Sequence, residues 1–125
     1  MQIFPKNIAI FQERKHNPHY VSSIYFDMQN IHFSNEISKV IEQSDVLIIA
    51  VPSSYILTSL NNLPENIFQN KKIISAIKGI IPPQNILLNA YLKGKFAIED
   101  NQYSVVAGPC HAEEVAAEKL SYLTF

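Results

Sequence analysis

The stretch Asp45-Val-Leu-Ile-Ile-Ala-Val51, followed by Pro52-Ser53, decides how the chain folds. The run is continuous and rich in β-branched residues. It predicts a strand covered on both faces, the usual state of a strand inside a parallel sheet. Pro52-Ser53 breaks the run, and Ser53 or Ser54 is placed to cap a helix over 55–63 with Ile56, Leu57 and Leu60 inward. Two further runs repeat the pattern downstream. Lys71 to Ile77 predicts a second buried strand that ends at Lys78-Gly79. Tyr103 to Ala107 predicts a third that ends at Gly108-Pro109.

Helical patterns lie between and around these strands. Residues 3–15 carry apolar positions at 3, 4, 8, 10 and 11, with Pro5 at the start and Asn17-Pro18 as the stop. Short β-leaning pieces come next, at 21–26 and 31–33. Ser34 or Asn35 can cap a helix whose inner face is Ile37, Val40 and Ile41. Pro82-Pro83 is expected to open a helix over 84–92, with Gly94 as its C-terminal glycine. Residues 110–119 predict a helix with Pro109 near its start, Glu113 and Glu114 in its first turn and Lys119 in its last. Residues 121–125 read as a strand. Strands alternating with helices give an α/β fold: an incomplete Rossmann-type parallel sheet with flanking helices.

Composition bounds the function. The 125 residues suit one domain, and 47% apolar with 17% charged content supports a core rather than disorder. Net charge is −1, without a basic stripe, so nucleic acid is not an expected partner. No apolar run approaches the ~18 residues that span a bilayer, and the N-terminus lacks a signal-peptide layout. With a single cysteine, Cys110, a reducing cytoplasmic setting fits best. His16-x-x-His19 lacks further suitably spaced ligands, so no metal is expected. There are three glycines, Gly79, Gly94 and Gly108, far below the usual share of about 7%. A glycine-rich dinucleotide turn and a Walker-type phosphate loop are therefore both absent.

In open parallel sheets, ligands bind at the carboxyl ends of strands. Three segments meet that rule: Val51-Pro52-Ser53-Ser54, Ala76-Ile77-Lys78-Gly79, and Gly108-Pro109-Cys110-His111-Ala112 after Ala107. Lys78 puts a cation at the sheet edge, able to hold a phosphate or polarise a carbonyl. The plainer alternative is a solvated lysine at a strand end. Gly108-Pro109-Cys110 at a helix start can offer backbone N–H groups to an anion, or be an ordinary strand-to-helix turn. Cys110 and His111 are neighbours in sequence and do not face each other on a helix, which argues against a nucleophile–base pair. Tyr20 could stack on a planar ligand or simply pack at the core edge.

These motifs, in this order, resemble the bacterial NAD(P)-dependent glycerol-3-phosphate dehydrogenases. The resemblance rests on Asn17-Pro18-His19-Tyr20, Val51-Pro52-Ser53, Lys78-Gly79 and Gly108-Pro-Cys-His-Ala-Glu-Glu114, and spans roughly 15–125. It implies a cofactor domain that holds NAD or NADP, followed by a helical substrate domain that completes the site. It implies hydride transfer between the nicotinamide and dihydroxyacetone phosphate, giving sn-glycerol 3-phosphate for phospholipid synthesis, in a homodimeric parent. By position, Lys78 matches a lysine touching both cofactor and substrate. Gly108 and Cys110 match substrate contacts; Ala112, Tyr20, Pro52 and Ser53 match cofactor contacts. Cys110 stands where serine or threonine is common, which leaves its backbone amide as the surer contact.

The resemblance also implies missing parts. Residues 1–125 are expected to be a partial cofactor domain that starts after the family's second strand. The glycine-rich turn would then lie upstream of residue 1, and the helical domain with its proton-transferring lysine beyond Phe125. Strand 46–51 would lose a neighbour and leave an apolar edge open. The isolated chain is expected to be inactive. Two alternatives are a related Rossmann dehydrogenase with another substrate and a non-catalytic remnant acting at most as an association module.

Overall fold

The computed structural model describes residues 5–17 and 19–125. Ile3, Phe4 and Pro18, which enter the helix reading above, lie outside the described residues. The chain forms two compact units: Glu36–Ala107 with Phe125, and the segments before Glu36 together with Gly108–Thr124.

The first unit is built on three parallel strands, β1 (Val46–Ile49), β2 (Lys72–Ser75) and β3 (Tyr103–Val105), in the order β1-β2-β3. Leu47 aligns with Ile73 and Tyr103, while Ile48 aligns with Ile74 and Ser104. Aligned residues share a face of the sheet. The face of Leu47, Ile73 and Ser75 is buried. Covering it are α2 (Ile37–Glu42), α3 (Ile56–Leu60) and α4 (Leu88–Phe96), through Ile41, Ile56, Leu60, Leu88, Leu92 and Phe96. Phe68 and Phe96 meet edge to face, with ring centroids 4.8 Å apart, at the centre of this core.

The expectation that strand 46–51 is covered on both faces is corrected here. Val46 and Ile48 are exposed, and β1 ends at Ile49. The three helices that supply the core all use the other face, so the β-branched run is half covered. Among the described residues β1 pairs with β2 alone.

Several helix boundaries also move. Neither Ser53 nor Ser54 caps a helix. Pro52 takes the cap position of a 3-10 turn (Ser53–Tyr55) that leads into α3, and Tyr55 N–H donates to the Pro52 carbonyl. Glu36, rather than Ser34 or Asn35, precedes α2, and its carboxylate pairs with Lys39 at 2.9 Å. Pro82-Pro83 starts a loop instead of a helix. Ile81 N–H donates to the Ile86 carbonyl at 2.8 Å and closes that loop, so α4 begins only at Leu88.

Gly94 is not the stop of α4. The helix continues to Phe96, which buries that ring, and Lys95 then donates to the Leu60 and Asn61 carbonyls at the end of α3. The left-handed residue is Ala97, at φ 51° and ψ 34°. An L-residue pays about 1–2 kcal/mol there, whereas glycine does not. Ala97→Gly is therefore expected to raise stability by ~1 kcal/mol. Gly94→Ala is expected to add ~0.5–1 kcal/mol, since a Cβ at this helical, exposed position meets no atom within 4 Å. Urea denaturation of both variants checks the pair; a loss of stability in either contradicts this account of the helix end.

In the second unit α1 covers Pro5–Arg14 and ends at Lys15, which adopts a positive φ. No strand forms at 21–26 or 31–33. Phe26 and Phe33 instead close on the buried Phe11, with centroids 6.0 Å and 5.6 Å from it. The aromatic residues thus supply a small core where β-pairing was expected. α5 covers only Ala112–Ala116, and 121–125 forms no strand.

Candidate functional site

The turns at the carboxyl ends of the strands build the site. After β2 the chain does not continue straight. Ser75, buried at 2% exposure, accepts the Ile77 N–H on its Oγ at 3.3 Å. This local side-chain bond bends the backbone two residues on. Ser75 also fixes the next strand, because its carbonyl accepts the Val106 N–H at 2.9 Å. The bend delivers Lys78 and Gly79. Gly79 sits at φ +87°, a conformation that side chains other than hydrogen rarely adopt, while its Cβ position faces open space. Backbone angle, rather than close contact, requires glycine here.

Lys78 is exposed, and its amine has no hydrogen-bond or ion partner among the described residues. β1 and β2 are neighbours and parallel, so Pro52-Ser53 and Lys78-Gly79 emerge at the same rim of the sheet. The N–H groups of Ser53 and Ser54 have no backbone acceptor among the described residues. This rim therefore offers a free cation and free backbone donors, a set suited to a phosphate or a polarised carbonyl. Ser75, the residue that shapes the turn, escaped the sequence reading. A serine two residues before a strand's end turn was the available signal.

The remaining expected site residues belong to the second unit. α5 starts at Ala112 with His111 as its cap residue, so Gly108-Pro109-Cys110 precedes the helix instead of forming its N-terminus, and Pro109 is not at its first position. Cys110 donates its thiol to the Tyr122 carbonyl at 3.1 Å. A Cβ on Gly108 would run into that same carbonyl and crowd Leu123. Gly108 and Cys110 thus form the seat on which 122–123 rests. Tyr20 is brought to the start of α5, where the Glu113 carboxylate beside its hydroxyl holds the phenol above its usual range. His16 turns its Nδ1 to the Asn17 carbonyl at 3.1 Å and meets Tyr25 edge on.

A cavity of about 660 Å³ lies at the opposite rim of the sheet, where Lys71, Lys72 and Gln102 stand before the strands. Three of its polar side chains are already engaged: Lys71 donates to the Glu42 carbonyl, Lys72 to that of Asn101, and Gln102 to those of Phe68 and Lys71. None of the motif residues lines it.

A sequence profile described as NAD-dependent glycerol-3-phosphate dehydrogenase N-terminus matches residues 2–125. The chain belongs to this family. Its match begins upstream of Lys15, where the motif resemblance starts. A glycerol-3-phosphate dehydrogenase [NAD(P)+] of Legionella pneumophila (strain Paris) is 30% identical over 112 residues, covering 90% of this chain and 32% of the relative. One from Clostridium botulinum (strain Eklund 17B / Type B) is 30% identical over 101 residues, covering 81% and 29%. The chain spans about a third of the length of these curated relatives. The fold agrees with the Plasmodium falciparum glycerol-3-phosphate dehydrogenase structure at TM-score 0.75 and 27% identity, covering 93% of this chain and 32% of that one. The Coxiella burnetii structure gives 0.74 at 21%, covering 92% and 34%.

Membership makes NAD(P) the cofactor to test against these residues. The β1–β2 rim offers a free ammonium on a glycine turn beside the Pro52-Ser53 step, donors suited to an anionic or carbonyl group. The pyrophosphate end has no counterpart, because the chain's glycines are dispersed and none forms a glycine-rich turn. Among the described residues no helix is long and apolar enough to cross a membrane.

Proposed function

We propose that the chain supplies the nicotinamide- and substrate-facing part of an NAD(P)-dependent sn-glycerol-3-phosphate dehydrogenase. The observation that carries this is Lys78, unpartnered on the Gly79 turn, at the same rim as Pro52-Ser53. When bound, the nicotinamide supplies or takes the hydride. Lys78 binds the substrate's negative charge and orients its carbonyl, touching cofactor and substrate alike. Pro52, Ser53, Tyr20 and Ala112 are cofactor contacts, and Gly108 and Cys110 are substrate contacts. Cys110 contributes its backbone amide, since its thiol is engaged with Tyr122. The substrate is dihydroxyacetone phosphate or sn-glycerol 3-phosphate, a precursor of phospholipids, and the working protein is a cytoplasmic homodimer.

A second reading is a non-catalytic association module. The dispersed glycines and the open β1 edge favour it.

One experiment separates these readings. Residues 2–125 replace the matching span of the Legionella relative, and NADH oxidation is followed with dihydroxyacetone phosphate and with other small ketones. Turnover preferring dihydroxyacetone phosphate is expected. No turnover by a folded chimera supports the association module, and preference for another ketone moves the chain to a different substrate class. The 125-residue chain by itself is expected to give no saturable NADH fluorescence change at micromolar ligand, as it has no pyrophosphate turn.

A further inference from the structure

Among the described residues Ser75 is the one polar residue buried in the core. It lies on the covered face of the sheet with Leu47 and Ile73. Taking a hydroxyl out of water costs free energy unless a hydrogen bond offsets it. Alanine would fill nearly the same space without that cost, so packing alone does not account for the hydroxyl.

The backbone ladder shows what the hydroxyl replaces. In a parallel pair, a residue directs its N–H and its carbonyl to the same neighbouring strand. Lys72 and Ala76 donate to β1, at the Asp45 and Ile49 carbonyls. Ser75 faces β3, since its carbonyl accepts from Val106. Ile77, two residues further on, would face β3 as well if the strand continued. The register of Ser75 with Val105 would then put the Val106 carbonyl opposite its N–H. That rung is not made. Ile77 N–H has no backbone acceptor among the described residues and donates to Ser75 Oγ at 3.3 Å. The hydroxyl stands in for the next rung and ends the pairing of β2 with β3. The chain then leaves the sheet at Lys78, and Gly79 at φ +87° completes the turn.

Without the hydroxyl, the half-buried Ile77 N–H has two courses. It stays without a partner, which costs free energy and loosens the turn. Or it swings to the Val106 carbonyl and draws Lys78 along the strand. Both change where the ammonium stands. A misplacement of about 1 Å in a positioned group can lower a rate by about 100-fold.

We propose that Ser75 is a positioning residue, whose buried hydroxyl ends β2 at Ile77 and so sets where the Lys78 ammonium meets the substrate. It rests on the role proposed for Lys78 and acts through that residue alone.

A double-mutant cycle in the chimera with the Legionella relative tests it, read on dihydroxyacetone phosphate. Ser75→Ala should lower kcat/KM by about 10- to 100-fold where Lys78 is present. In a Lys78→Ala background it should cost less than about threefold, because a residue that acts through another loses its effect when the other is gone. A residue that only supports the fold would cost the same factor in both. Ser75→Cys has a similar volume and a much weaker acceptor, so it should follow Ser75→Ala and carries the test if alanine disturbs the core. In the 125-residue chain, the Lys78 and Gly79 amide resonances should shift in both Ser75 variants. Equal factors in the two backgrounds, or a silent Ser75→Ala beside a large Lys78→Ala effect, overturn the positioning role and leave the Lys78 reading standing. Unmoved Lys78 and Gly79 resonances overturn the positioning role without reference to activity. A silent Lys78→Ala, or a folded chimera without turnover, overturns the reading and the positioning role together.

Discussion

Lys78→Ala in the chimera with the Legionella relative is expected to lower kcat/KM for dihydroxyacetone phosphate by about 100- to 1000-fold. That range is typical when one preorganised charge or donor is removed from a developing oxyanion. The amine has no partner of its own in the first unit, so its removal leaves no buried group unpaired and costs the fold little. An effect on activity without an effect on melting is therefore the signature of the assigned role. Lys78→Arg keeps the charge on the same turn and should retain more activity than alanine. Its wider, planar head will not reproduce a point charge aimed at one oxygen. A fall of less than threefold for Lys78→Ala would remove Lys78 from the site.

Why Lys78 was legible and Ser75 was not is a matter of physical scale. The three strands show in the sequence because continuous β-branched runs are rare outside buried sheets. Their carboxyl ends follow from parallel topology, and Lys78-Gly79 falls at one of them. Coverage of a face, by contrast, depends on what lies far away in the chain. Ile48 is as apolar as Ile73, yet one is exposed and the other 1% exposed, because α2, α3 and α4 all lie on the same side. Local capping rules failed for a related reason. Pro52 and Glu36 took the positions expected of Ser53 or Ser54 and of Ser34 or Asn35 because the start of each helix is set by where Ile56 and Ile41 must go to be buried. Gly94 was displaced as a helix stop by Phe96, whose burial against Phe68 outweighs an αL penalty of about 1–2 kcal/mol at Ala97. Ser75 depends on one side-chain bond to a backbone two residues away, and only its place before the Lys78-Gly79 turn signals it.

Gly108→Ala is the second large effect, and it is steric. The new methyl would overlap the Tyr122 carbonyl and press on the Leu123 side chain. A carbonyl belongs to the backbone and cannot rotate away as a side chain can, so 108–110 and 122–123 must separate. Separation breaks the bond from the Cys110 thiol to the same carbonyl. Overpacking of this kind costs about 1–3 kcal/mol. The loss falls on the second unit, since Gly108, Cys110 and Tyr122 all belong to it. Two measurements therefore differ in outcome. Trypsin cleavage after Lys119 should accelerate by about 5- to 150-fold, the factor corresponding to that cost when opening is rapid. Hydrogen exchange in β1 and β2 should stay as it was, because their core is Ile41, Leu47, Ile73 and the helices over them. Cys110→Ser separates the two contributions: it keeps a donor toward Tyr122 without adding volume at 108, and should leave cleavage nearly unchanged. If Gly108→Ala and the parent chain are cut at the same rate, 122–123 does not rest on Gly108 in solution. The seat assigned to Gly108 and Cys110 would then be wrong, and with it the reason for reading the Cys110 contribution as a backbone amide rather than a free thiol.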